Sequence, residues 1–424
     1  MGAMRAMQAI RMRPTGRRAG TALLLGGVLL LATACGSGGG SQSGGGANAG
    51  GGAKGNGPAI GAPAAAASSA APKTSAAVVD VEPKNGSQDV APNGALKVSV
   101  ADGKLTEVAV TGPDGKAVQG AVAADGLSWA PAGGLAVGAA YTVEAKAVDA
   151  NGVATSTSSS FTTLTPKRTT RTVDNISTGS TYGVGMIIRV DFRQKVTNKA
   201  AAAQAITVEA SDGTQVKGHW LDDDNWLDLR PESYWKPGTK VTIHYRTSNV
   251  ELSPGVYGNS DRDESFTIGR SKISTVDAKT HQMNVVEDGL APQTIAVTAG
   301  ADDNPSWNGT MVVFEKDRMA HMDSATTNIK GPAYVADEPH ALKITDSGSY
   351  VHGNPKAVEA AGHENISHGC IGLPDTPTGD DNSVAGKYYT DSIIGDVVIV
   401  KNSVGGQVAP DNGLGGWNVP WSTW

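Results

Sequence analysis

The chain has 424 residues, 55 of them Gly, with 5% aromatic and 18% charged side chains. At about 150 residues per domain this length predicts two or three domains, and a Gly content well above the usual roughly 7% predicts that part of the chain buries no core. A net charge of −6, from 35 Lys+Arg against 41 Asp+Glu, argues against nucleic-acid binding, and two cysteines exclude a disulfide framework or a four-cysteine zinc site. Cys35 and Cys370 either pair once across the chain or have separate roles.

Residues 1–34 read as an address. Arg5, Arg11, Arg13, Arg17 and Arg18 precede an apolar run, and the first acid is Asp80. The run, residues 21–34, is too short to cross about 30 Å of hydrocarbon as a helix. A basic start, a short apolar stretch and small residues after it make a secretory signal. Leu31-Ala32-Thr33-Ala34-Cys35-Gly36 resembles a bacterial lipoprotein lipobox, although its Leu stands four places before the Cys rather than three. The resemblance implies that Cys35 is acylated and anchors the protein on the outer face of the cell membrane. A secreted protein with an incidental Cys, or an uncleaved anchor, is the alternative. Loss of residues 1–34 removes five Arg and no acid, leaving 30 bases against 41 acids, or −11. Attachment would then rest on lipid rather than on basic contacts.

Residues 35–77 are mostly Gly, Ser, Ala, Asn and Pro, which cannot repay their ordering entropy, so they read as a disordered tether. A coil of this length spans on the order of 35 Å. Period-2 alternation then begins, in residues 95–100, 107–111 and 141–147, with turn signals at Pro83-Lys84-Asn85-Gly86, Pro113-Asp114-Gly115 and Asp149-Ala150-Asn151-Gly152. Residues 78–165 therefore read as an immunoglobulin-like sandwich with Trp129 in its core. A polar basic joint at 166–171 opens a second unit of the same kind, 166–270, with strands expected at 185–192, 240–245 and 264–268. Asp222-Asp223-Asp224 reads as a solvated turn, since it lacks the sixth-position Gly and closing Glu of a calcium loop. His219 and His244 read as strand-face residues.

The chemistry is expected in the last third. Five of the eight His lie between His321 and His368, and Cys370 stands beside the last of them. A thiolate nucleophile needs a base, a group that orients the base, and open backbone for a developing oxyanion. Cys370, His352, His368, Gly369 and Gly372 supply nucleophile, candidate bases and open backbone. A zinc site from His352, His363, His368 and Cys370 lacks the usual ligand spacing, and an inert buried thiol does not explain the flanking glycines.

His352, fourteen intervening residues, and then Ser367-His368-Gly369-Cys370 resemble the signature of L,D-transpeptidases with a YkuD-type catalytic domain. His321-Met322-Asp323-Ser324, Tyr334, Gly362-His363-Glu364-Asn365 and the Trp-rich ending extend the likeness to the actinobacterial enzymes. The resemblance implies a mostly β fold: two immunoglobulin-like β-sandwich domains, a β-rich catalytic domain at 271–404, and a C-terminal extension at 405–424 packed on it. It implies acyl transfer between peptidoglycan stem tetrapeptides, with Cys370 as nucleophile and His352 as base. The Gly353 carbonyl would orient His352, and His368 would shape the pocket. Met322, Tyr334, Ser367, Gly369 and Gly372 would serve the substrate, and no cofactor or metal is expected. Gly353 stands where several relatives have Ser, Gly372 where Asn is usual, and Lys356 where some have Trp. An L,D-carboxypeptidase of the same fold, or an idle wall-binding lipoprotein, is the rival expectation.

Overall fold

The structure, a computed structural model, describes residues 73–221, 224–327 and 335–424. The expected signal segment, most of the expected tether, Cys35, Asp222, Asp223 and Tyr334 lie outside the described residues.

Alternation builds the first sandwich, because successive strand side chains point to opposite faces. One sheet runs Val78–Glu82, Lys97–Ala101, Ser128–Pro131, Gly120–Val122. The other runs Ser87–Val90, Ala154–Thr163, Ala140–Asp149, Gly103–Thr111. Between them lie Val98, Trp129, Val143, Ala145 and Phe161, all buried, with Tyr141 stacked on Phe161 at 5.4 Å. The end of the expected tether is in fact tied down. Asp149 accepts from the Ala76 N–H at 3.0 Å, Ser75 Oγ donates to the Val153 carbonyl at 2.8 Å, and Ala77 is buried.

The second unit also pairs two sheets: Val173–Asp174, Ile188–Asp191, Trp226–Pro231, Val216–Leu221, and Thr181–Tyr182, Asp261–Ile268, Lys240–Arg246, Ile206–Ala210. The basic joint is itself structured. Arg168–Thr170 pairs in parallel with Val256–Gly258. The strand expected at 185–192 is shorter, Ile188–Asp191, because its first residues bond elsewhere. The Gly183 and Gly185 N–H groups donate to the Ile394 and Gly395 carbonyls, each at 2.8 Å. The approach is so close that a Cβ on Gly183 would lie 2.4 Å from the Gly395 carbonyl carbon. One apolar core consequently runs from Val190, Phe192 and Ile243 through Ile187 to Val312, Val397 and Leu414. The second sandwich and the C-terminal region share that core.

The C-terminal region has a five-stranded sheet ordered Gln293–Ala296, Gln282–Glu287, Lys272–Asp277, Val397–Lys401, Gly309–Val312. A four-stranded sheet runs Glu315–Asp323, Val335–Lys343, Tyr350–Asn354, Ile371–Pro374. Val276, Met283, Val398 and Val400 from the first meet Leu342, Val351, Ile371 and Leu373 from the second. The helix Val384–Asp391, capped by Ser383 Oγ accepting from the Gly386 N–H at 2.8 Å, closes this core with Ala385 and Tyr388.

The last residues do more than pack on these two sheets. Asn418 binds Thr310, accepting from its N–H at 2.8 Å and donating to its carbonyl at 2.7 Å. Trp417 and Trp424 donate their indole N–H to the Gly185 and Lys217 carbonyls, at 2.7 and 2.9 Å. The buried Arg230 of the second sandwich lies against Trp417, Trp421 and Trp424 and donates to the Val419 carbonyl at 2.7 Å. The extension therefore bridges two domains.

Candidate active site

Strand register brings His352 to the segment that carries Cys370. Tyr350–Asn354 pairs in parallel with Ile371–Pro374, with His352 opposite Gly372. Cys370 stands immediately before that strand, its side chain within hydrogen-bonding reach of His352 and its Sγ 3.8 Å from the Gly348 carbonyl. Cys370 is a buried free thiol, and His352 is 4% exposed.

Local chemistry fixes the turn that carries Cys370. Ser367 Oγ donates to the Cys370 carbonyl at 2.6 Å and accepts from the Gly369 N–H at 3.1 Å. Gly369 has φ of +115°, a conformation that favours a residue without Cβ. The preceding loop is anchored by Asn365, whose side chain accepts from the Ala299 N–H at 2.8 Å and donates to the Ala278 carbonyl at 2.9 Å. Gly372 is held within the strand. Its N–H and C=O pair with Thr298 at 2.8 and 3.0 Å, and a Cβ would meet Thr298 Cγ2 at 2.8 Å.

His352 Nδ1 lies 2.8 Å from the Gly353 carbonyl. A carbonyl only accepts, so Nδ1 carries a proton and Nε2 is left to face Cys370. Glu338, which no sequence motif singled out, places Oε2 3.5 Å from the same Nδ1. Burial by itself pushes the imidazole pKa down, but hydrogen bonds and charge from Cys370 and Glu338 outweigh it and raise it to about 10.

Gly353 is needed for space. A Cβ there would lie 2.2 Å from Asp375 Oδ2. Asp375 is fully buried, bonded by His340 Nδ1 at 2.6 Å and by the Thr376 and Asp380 N–H groups at 2.8 and 2.9 Å. These bonds overcome its burial and hold its pKa below the usual carboxylate range.

Cys370 opens on a cleft of about 420 Å³ lined by Met322, Glu338, His352, Lys356, Ser367 and His368. Met322 also packs with Ala320, Ala341 and Cys370, so it is both wall and core. A second cleft of about 260 Å³, lined by Asn304, Trp307, Ser349 and Gly369, shares the His368 wall. Cys370, His352, Gly353, His368, Met322, Ser367 and Gly369 thus converge, and Gly372 lies opposite His352 between Thr298 and the cleft residue Asn354. Among the described residues, no three His, Cys, Asp or Glu side chains are arranged to hold a metal ion.

The profile of an L,D-transpeptidase catalytic domain matches residues 271–391, and that of a bacterial Ig domain matches 87–251, across parts of both sandwiches. L,D-transpeptidase 2 of Mycobacterium tuberculosis is 32% identical over 343 residues, 80% of this chain and 82% of that protein. L,D-transpeptidase 5 of the same species is 28% identical over 81% of this chain and 75% of its own. A solved L,D-transpeptidase in complex with imipenem is 26% identical and covers 55% of this chain and 99% of that one, with a TM-score of 0.47.

Proposed function

The chain belongs to the L,D-transpeptidase family, and from that premise we propose that it forms 3→3 crosslinks between peptidoglycan stems through a thioester on Cys370. The observation that carries this is the contact between Cys370 and His352 at the wall of a cleft, on segments that the parallel pairing brings together. In this reading the carbonyl of the third stem residue, a diaminopimelate L-centre, enters beside Met322 and Ser367. Cys370 Sγ attacks it, and the thiol proton resides on His352 Nε2. The Gly369 N–H is already given to Ser367 Oγ, so the oxyanion is assigned to the Cys370 N–H. Collapse breaks the amide bond, and the departing D-alanine amine takes the proton from His352. The side-chain amine of a second stem then attacks the thioester, returns a proton to His352 and frees the thiol. His368, on the wall common to both clefts, shapes the approach of the two stems.

Incubation with disaccharide tetrapeptide, followed by mass spectrometry, tests the reading. Dimers lacking one D-alanine are expected. Tripeptide alone means that water is the acceptor and the protein is a carboxypeptidase. No turnover, with Cys370→Ala indistinguishable from wild type, leaves a wall-binding protein. A β-lactam carbonyl is a similar electrophile, and a carbapenem is expected to add its mass at Cys370.

Attachment through an acylated Cys35, with the folded part facing the wall, is the remaining part of the proposal. Its support is the lipobox-like sequence and the polar segment after it. Labelling of cells with a clickable fatty acid is expected to mark wild type and not Cys35→Ser.

A further inference from the structure

We infer that Glu338 is a positioning residue for the Cys370–His352 pair, its carboxylate orienting the imidazole and holding a negative charge against it. This rests on the reading of Cys370 and His352 as the reacting pair. Three observations carry it. First, Glu338 Oε2 is 3.5 Å from His352 Nδ1, on the side of the ring away from Cys370. The Gly353 carbonyl, 2.8 Å away, fixes which nitrogen bears the proton, but it is a neutral acceptor. A carboxylate adds a full charge in a site where His352 is buried.

Second, Glu338 and its acidic neighbour have different partners. Asp337 bonds His321 Nδ1 at 2.8 Å. Glu338 is turned to His352 and, among the described residues, has no other cationic partner. Third, Glu338 lines the same cleft as His352 and Cys370 and is largely shielded, its side chain 21% exposed. Asp337, Lys356 and His368 also line that cleft, and Asp375 sits beyond Gly353. Cys370 and Glu338 are the groups that most raise the proton affinity of His352.

The consequence for chemistry has a sign. A negative charge beside the imidazolium favours the state in which His352 holds the thiol proton. Without it, the pair relaxes toward neutral thiol and neutral imidazole, and the thiolate forms only at higher pH.

The test is alkylation of the full chain by iodoacetamide across pH, read on the Cys370 peptide so that Cys35 does not contribute. No peptidoglycan is needed, so the outcome does not depend on which acceptor the enzyme uses. Glu338→Gln is expected to move the rise in rate upward by about one pH unit, slowing alkylation at neutral pH roughly tenfold. Glu338→Asp, which keeps the charge, is expected to restore part of that shift. A Glu338→Gln profile superimposed on wild type would overturn the inference. So would Gln and Asp variants slowed alike with no displacement of the profile, since that is what a packing role gives. If wild type itself follows an ordinary thiol profile that His352→Gln leaves unchanged, the reacting pair fails, and Glu338 with it.

Discussion

Replacing Gly353 by alanine sets a methyl group 2.2 Å from Asp375 Oδ2, 2.8 Å from its Cβ and 2.9 Å from its Cγ. Asp375 has little freedom to yield. His340 Nδ1 and two backbone N–H groups hold its carboxylate, and both side chains of the His340–Asp375 pair are fully buried. Overpacking of this kind costs about 1–3 kcal/mol. A second loss falls on chemistry. If the strand moves to relieve the clash, the 2.8 Å bond from His352 Nδ1 to the Gly353 carbonyl lengthens, and losing about 1.4 kcal/mol of orientation slows thiol reaction about tenfold. Thermal unfolding measures the first effect and alkylation of Cys370 the second. In an Asp375→Ala background two of the three contacts are gone, so the same alanine is expected to cost about 1 kcal/mol less or better. A Gly353→Ala protein as stable and as reactive as wild type, or a cycle that is simply additive, would refute this account of why glycine follows His352.

Other outcomes follow from the same geometry. Ser367→Ala removes both hydrogen bonds that staple the Cys370 turn. At about 1 kcal/mol each, it is expected to slow carbapenem acylation roughly tenfold or more in stopped-flow traces. Trp424→Ala takes a ring from Arg230 and from the stack with His219, and is expected to cost about 3 kcal/mol, read as earlier proteolysis at the junction of the second sandwich and the catalytic region. The raised pKa of His352 also has a stability sign. Its contribution is complete below the unfolded value of about 6.5 and is lost as pH rises through about 10. His352→Gln should therefore flatten the alkaline decline of the melting midpoint, whereas a decline identical to wild type would contradict the shift.

How much of this was legible in the sequence depends on the range of each signal. The two sandwiches were readable because alternation is local, as in Ala140–Asp149. The strand expected at 185–192 was overestimated because the groups that shorten it, Ile394 and Gly395, lie some 210 positions away. Cys370 and His352 stood out by their spacing, and the parallel pairing of Tyr350–Asn354 with Ile371–Pro374 brings their segments together. Glu338 was not, since it stands fourteen positions before His352 on a separate strand, and nothing in Asp337-Glu338-Pro339 separates a site residue from a solvated acid. The same limit hid Asp375, whose partner Gly353 is recognisable only by the side chain it lacks. The C-terminal extension was expected to pack on the catalytic domain, but Arg230, the cation among its tryptophans, is about 190 residues upstream and carried no motif.

The most direct measurement is the intact mass of the protein quenched in acid within seconds of mixing with tetrapeptide stem. The account predicts an adduct equal to the stem less D-alanine, mapped to Cys370, absent in Cys370→Ala and scarce in His352→Gln. Crosslinked or trimmed product formed by wild type with no such adduct, or formed undiminished by Cys370→Ala, would contradict it.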